Sequence, residues 1–293
     1  MGAGHGHSDK LHIDLVVNGE DVLMDGGRYT YVSGPKRFSY KDPSGHNTIT
    51  VDDLPFTVCK DSWECSKLSQ PVKENFRCTK LAEFAQAGQL GYMDLPGGVY
   101  VNRKMVYIKP DLYILVDEMY TGDCHTYQQY FHFNNHGAVT LTAPGEKKFP
   151  CVAYRGKMAE ADFYFVSAQV KAELKRGHIA RHYNVEEENT VCKVTKPGDG
   201  FTSLITVIDA HPGRPLSIEK LPVRSALKQT DYPETMAEAL KITTGEKEYV
   251  VILCHQEVNS PTDLVEADGC MGYGNVIVFD KAGDVLVGDV LNW

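Results

Sequence analysis

No apolar run in the 293-residue chain is long enough to span a bilayer, which argues against a helical membrane anchor. Met1 leads into glycine and histidine, not into a basic and then apolar leader, so no secretory signal is expected in this chain. The eight cysteines include no CxxC pair and fall short of the density of a disulfide scaffold. They read as reduced, mostly structural thiols, which weighs toward a cytoplasmic or anaerobic setting. There is no Lys/Arg tract, and the formal charge of −9 argues against a nucleic-acid partner, because neutralising phosphates needs a dominant basic surface. Any polyanionic ligand must therefore find a local basic patch. Internal repeats and low-complexity stretches are also missing.

What is present is strand after strand. In Leu11-His12-Ile13-Asp14-Leu15-Val16-Val17 apolar residues alternate with more polar ones, and Asn18-Gly19 supplies a hairpin turn signal. Similar patterns occupy 48–52, 99–109 and 112–120 joined through Pro110-Asp111, 126–134, 161–170, 201–209 and 248–255. A last pair, 275–280 and 284–290, flanks Lys281-Ala282-Gly283. Only 78–87 and 234–240 look helical. Short strands separated by Gly, Pro, Asn and Asp predict an all-β fold, a large antiparallel sandwich and not a parallel sheet. The Pro-, Lys- and Arg-rich stretch 212–234 marks a boundary, giving a main domain over residues 1–225 and a small β unit over 226–293.

The first fifty residues carry the chemistry: Gly4-His5-Gly6-His7-Ser8-Asp9, Met24-Asp25-Gly26-Gly27 and Gly45-His46-Asn47-Thr48. Imidazoles and a carboxylate recurring between strand-like segments form a ligand set that zinc accepts. In an extended segment His5 and His7 leave the same face, roughly 6.5–7 Å apart, and two such histidines can share a metal. A site this close to the first residue leads us to expect that something normally precedes it.

These motifs resemble the C-terminal half of the heparinase II/III-like polysaccharide lyases. The likeness starts at Gly-His-Gly-His-Ser-Asp-Lys-Leu and runs through Asn-Gly-Glu, Met-Asp-Gly-Gly-Arg-Tyr-Thr-Tyr and Gly-His-Asn-Thr-Ile. It continues at Val101-Asn102-Arg103-Lys104, Lys109-Pro110-Asp111-Leu112-Tyr113, Val116-Asp117 and Phe131-His132-Phe133. The resemblance implies a β-sandwich that works with an α/α toroid, in cis or in trans, to cleave uronic-acid polysaccharides by β-elimination. The toroid has no counterpart in this chain. The resemblance also assigns His7, Asp25 and His46 to one divalent metal, zinc, in a structural role. It leaves His5 facing the sugar as a catalytic or charge-neutralising group, and places His132 near the site in support.

Elimination at a uronic acid requires that the carboxylate be stabilised, the C5 proton removed and the departing oxygen protonated. For these tasks the chain offers His5, the loop Arg37-Phe38-Ser39-Tyr40, and Arg28 with Tyr29 and Tyr31. Tyr40 is the local phenol best suited to line a cleft, and Arg37 the guanidinium best suited to a carboxylate. On the strand 126–134, His132 shares a polar face with Gln128, Tyr130 and Asn134, which fits a groove or plain solvent exposure. Arg103 and Lys104 can bind acidic sugar or pair with carboxylates. The expected partners are an acidic polysaccharide or oligosaccharide and the toroid, with a homo-oligomer left open and neither nucleic acid nor membrane. The isolated chain is expected to be weakly active or inactive, since the resemblance implies that it needs the toroid. The rival reading is a non-catalytic, metal-stabilised sandwich that binds carbohydrate or docks onto a helical partner; a cupin-like metalloenzyme is a third.

Overall fold

The computed structural model describes residues 5–142, 145, 148–245, 247–282 and 285–292. Where apolar and polar residues alternate the backbone is extended, and neighbouring strands pair antiparallel in the six-stranded and five-stranded sheets. The first hairpin turns where Asn18 and Gly19 both take positive φ, 51° and 80°, the mirror-image turn that matches strand twist.

The chain divides into two compact units, each built from several stretches. Residues 1–74, 87–103 and 115–210 form the first; 75–86, 104–114 and 211–293 form the second, which therefore takes in the whole of 212–234. In the first unit, the strands Leu15–Val17, Glu20–Leu23, His125–Phe133, Val185–Gly198 and Lys171–His182 follow one another across a sheet, with Ile49–Val51 also pairing to His125–Phe133. An eight-stranded sheet runs in the order Ala138–Thr142, Cys151–Arg155, Glu160–Phe165, Phe201–Asp209, Leu112–Thr121, Val99–Ile108, Ala82–Tyr92, Pro71–Cys78. Phe131 and Phe133 of His125–Phe133 pack against strands of the eight-stranded sheet that lie in the first unit. Phe131 packs on Phe163 and Phe165, and Phe133 on Tyr154 and Phe163. Each such ring, fully buried, contributes roughly 1.5–3 kcal/mol. The second unit has its own five-stranded sheet and a core that includes Val223, Ala239, Val250, Ile252, Val265 and Ile277.

Several expectations need correction. The stretch 78–87 is not helical but spans the turn between Pro71–Cys78 and Ala82–Tyr92. There the Thr79 hydroxyl accepts from Ala82 N–H and donates to its carbonyl, both at 2.9 Å, and Ala82, Phe84 and Gln86 alternate inward. The stretch 234–240 likewise runs into the strand Ala237–Thr244, hydrogen-bonded on both sides. In both places strand pairing overrides local helix propensity. The first strand covers only Leu15–Val17, because Leu11 takes φ 64° and His12 N–H turns back to the Asp9 carbonyl. The α-helix among the described residues is Pro35–Lys41, in a segment read as a loop. The strands 275–280 and 284–290 are found as Val276–Ala282 and Val285–Asn292; Gly283 and Asp284 between them lie outside the described residues.

Candidate functional site

Proline at its first position opens the helix Pro35–Lys41, and helical spacing then turns Arg37, Tyr40 and Lys41 toward the protein. The Lys41 carbonyl accepts Ser8 N–H at 2.9 Å, which fixes the segment carrying His7. Arg37 Nη1 donates to His7 Nε2 at 3.0 Å and to the Arg28 carbonyl at 3.2 Å. Asp25 Oδ1 accepts Gly27 N–H at 2.6 Å while Oδ2 pairs with His46 Nδ1 at 2.7 Å. Behind His46, Asn47 is held from several sides: its N–H donates to His12 Nδ1, its side-chain amide to the Ile13 carbonyl, and its Oδ1 accepts His132 N–H.

The result is a cluster in which His7, Asp25 and His46 each offer a ligand atom within 4.8 Å of the others. His46 is buried, and its Nε2 has no hydrogen-bond partner among the described residues. Burial, helped by the charges of His46 and Arg37, pushes the His7 imidazole down to about 4. Burial works against ionisation of Asp25, but the hydrogen bond and charge of His46 and the Gly27 N–H outweigh it and hold the carboxyl at about 2. Both groups are thus in their unprotonated forms at neutral pH.

Beside the cluster opens a cavity of about 450 Å³ lined by His5, His7, Asp25, Arg28, Tyr31 and Arg37, and by Arg181, His182 and Tyr183. His5 is not one of the clustered residues: its Nδ1 lies 3.0 Å from the Tyr31 hydroxyl, which accepts from Arg28 Nη1 at 2.9 Å. Tyr31 in turn stacks on Trp63 and sits under Arg28.

Of the residues singled out in the sequence, His5, His7, Asp25, Arg28 and Arg37 line this cavity, and His46 completes the cluster. Three do not come to it. Tyr40 is 4% exposed and donates to Glu186 Oε1 at 3.0 Å, because the helix turns it inward; it borders a separate cavity of about 290 Å³. Burial and the Glu186 carboxylate raise its pKa well above the ordinary phenol value. His132 borders that second cavity, with its Nε2 donating to the Ser44 carbonyl at 2.8 Å. Residues of the Pro43–Gly45 turn cover the face expected to meet a groove or solvent. Arg103 binds no open surface at all. Its guanidinium grips Asp117 through Nε and Nη2 at 2.6 and 2.8 Å, and Nη1 donates to the Leu11 and Asn47 carbonyls.

Tyr31, named in the sequence only beside Arg28, takes the place at the cavity expected of Tyr40. Arg181 and Tyr183 were missed, and His182, which has no constellation in the sequence, reads there as a structural or surface residue; all three lie on the hairpin of Lys171–His182 and Val185–Gly198. The short apolar, β-branched run Thr190-Val191-Cys192-Lys193-Val194 is the signal that marks this hairpin, with Val191, Cys192 and Val194 buried.

No curated protein matches the sequence. Similar solved structures include the heparan sulfate lyase HepC from Pedobacter heparinus, with TM-score 0.67 and 15% identity over 87% of this chain and 38% of that one. A heparinase III with methylated lysines gives 0.65 and 12% over 85% and 36%, and another heparinase III gives 0.61 and 16% over the same shares. At these identities the likeness is one of fold, and the chain spans 36–38% of the length of those structures. The family model described as Heparinase II/III-like, C-terminal matches residues 1–220, three quarters of the sequence, and the chain belongs to that family.

Proposed function

We propose that the first unit is the sandwich part of a polysaccharide lyase that cleaves uronic-acid-containing chains by β-elimination, and that it needs an α/α toroid to complete its site. The observation that carries this reading is the cavity itself: Arg28, Arg37 and Arg181, with His5 and His182, gather around one opening on a chain of net charge −9. Guanidinium groups offer the bidentate geometry that suits a sugar carboxylate. Arg28 is exposed at the opening; Arg37 is buried behind it and positions His7.

In the elimination the C5 proton leaves, the C4–O bond breaks, and a C4–C5 double bond forms. The His5–Tyr31 pair, joined at 3.0 Å, holds groups able to take or return a proton at the sugar, and Arg28 steadies the Tyr31 hydroxyl. His7, Asp25 and His46 would hold a divalent metal, for which zinc suits the two imidazoles and one carboxylate. The unpartnered, buried His46 Nε2 and the unprotonated state of His7 and Asp25 fit such an ion. When bound, the metal supplies positive charge beside the cavity and ties the His7 segment to the loops of Asp25 and His46.

The test is to assay the chain alone and together with the toroid of a heparinase-like lyase on heparan-type, chondroitin-type and alginate substrates. Formation of the conjugated double bond is followed by near-ultraviolet absorbance. The chain alone is expected to give little or no product, since catalytic groups must be held in mutual register. The pair is expected to give the unsaturated uronate. Acidic sugar bound by the pair with no double bond formed would leave a carbohydrate-binding sandwich in place of the lyase. Metal analysis that finds no bound ion, and a melting temperature indifferent to chelator, would remove the metal from the proposal.

A further inference from the structure

The short strands Val58–Cys59 and Cys65–Lys67 are joined by a turn closed from within. Lys60 N–H donates to the Glu64 carbonyl at 2.8 Å, and Asp61 Oδ1 accepts the N–H groups of Trp63 and Glu64 at 2.6 and 2.8 Å. At the base of the turn Cys59 and Cys65 are cross-strand partners, both half-buried, with their sulfurs 3.2 Å apart. A covalent S–S bond is about 2.05 Å long, so closure asks for movement of roughly 1 Å, within the reach of side-chain rotation. No third imidazole, thiol or carboxylate joins these sulfurs in a metal-ligating group among the described residues. The turn carries Trp63, which is 59% exposed and stacks on Tyr31 with ring centroids 5.8 Å apart and planes 16° from parallel.

We propose that Cys59 and Cys65 are a modification site: they form a reversible disulfide by exchange with a low-molecular-weight disulfide, and the link fixes the turn that holds Trp63 against Tyr31. One protein thiolate attacks a sulfur of the small disulfide, giving a mixed disulfide and releasing one small thiol. The second protein thiolate then displaces the other small thiol and closes the Cys59–Cys65 bond. The protein loses two electrons and two protons, which leave on the two small thiols, so the exchange balances without a further oxidant. Burial, with the neighbouring Cys65, pushes the Cys59 thiol up to about 11, so exchange speeds up as pH rises above neutral. This pair departs from the expectation, drawn from cysteine spacing and density, that the eight cysteines are reduced and mostly structural.

The experiment equilibrates the whole chain with graded ratios of oxidised to reduced glutathione, quenches with acid, alkylates free thiols and maps the non-reduced digest by mass spectrometry. The expected result is a Cys59–Cys65 link that rises with the oxidised fraction and reverts on reduction, with none of the other six cysteines in a protein disulfide. Glutathione left on either sulfur, a link to any other cysteine or to a second chain, or full alkylation of both thiols at the most oxidising ratio overturns the proposal. At least one of Cys59→Ser and Cys65→Ser is expected to trap glutathione on the remaining sulfur, which marks the attacking thiol; two variants that both take none contradict the two-step route. In a Trp293→Phe background Trp63 is the remaining tryptophan, and its emission is expected to change in step with the linked fraction. Emission that ignores the link overturns the clamp on the turn.

Discussion

His132 shows what burial does to a titratable group when, among the described residues, only one of its two nitrogens has a hydrogen-bond partner. Burial pushes its imidazole down to about 4, against the Ser44 carbonyl that works the other way, while an unfolded chain keeps the ordinary 6.5. Below 6.5 the unfolded state therefore takes up the proton first. The stability due to neutral His132 is complete above pH 6.5 and is lost as pH falls toward 4. The shift is worth about 2 kcal/mol by pH 5. His7 acts with the same sign in the same window. Asp25, held low, loses its contribution only as pH falls from 3.8 toward 2. Urea unfolding midpoints are expected to drop between pH 7 and pH 5, and to drop less in His132→Gln; equal slopes would place the proton uptake elsewhere. The two phenols make a second contrast at this scale. Tyr31→Phe removes the hydroxyl that meets His5 and Arg28, and is expected to lower lyase turnover of the sandwich–toroid pair about 100-fold or more. Tyr40→Phe removes one hydrogen bond to Glu186 and is expected to cost about 1 kcal/mol of stability with turnover nearly unchanged. Stability and turnover measured on both variants separate the roles.

At the scale of elements, the His7–Asp25–His46 cluster depends on a close approach that none of the three residues makes. Gly27 has φ +80°, and a Cβ there would lie 2.4 Å from the Ala180 carbonyl oxygen on the strand Lys171–His182. Gly27→Ala is expected to cost more than about 2 kcal/mol, from the left-handed backbone and the clash together, and to release metal although every ligand remains. Gly213→Ala, with open space and an ordinary φ, is expected to stay within about 0.5 kcal/mol of wild type. Thermal melts with metal analysis check both. This dependence also explains what the sequence could show. The gathering of His7, Asp25 and His46 is legible because two imidazoles and a carboxylate follow one another in a recognisable order. Their support is not, because Lys171–His182 is largely exposed, and charged residues on both its faces blur the alternation. Arg103, for which sugar and carboxylate partners were both open, shows a related limit: a cation in a strand looks the same whether its partner is a sugar or a buried carboxylate. Its actual partner decides its effect. Asp117→Ala would leave the Arg103 charge buried and unpaired, and is expected to destabilise by about 3–5 kcal/mol. Arg28→Ala, at an exposed site, is expected to cost under about 1 kcal/mol, and denaturant melts compare the two.

For the whole molecule, the distribution of charge matters more than its sum. A chain of net −9 repels a polyanion at long range, yet the cavity collects guanidinium and imidazole groups at short range. Binding of an acidic oligosaccharide must then rest on a few local contacts working against a repulsive background. Salt screens both, but not equally: the Debye length is about 10 Å at 0.1 M and about 3 Å at 1 M. Charges spread over the surface are thus already largely screened at moderate salt, and the loss beyond that point reports the cations that touch the ligand. The affinity of the sandwich–toroid pair for a uronic-acid oligosaccharide is accordingly expected to fall as salt rises from 0.1 to 1 M, while a neutral oligosaccharide of the same length shows no such fall. Arg28 is the exposed cation at the opening, so Arg28→Ala is expected to weaken binding about 5-fold at low salt and to flatten the salt dependence. Lys228→Ala, which removes an exposed charge of the second unit, is expected to leave both unchanged. Titration calorimetry across the salt series decides between them: equal responses of the two variants would mean that net charge governs binding, and that the cations around the cavity do not.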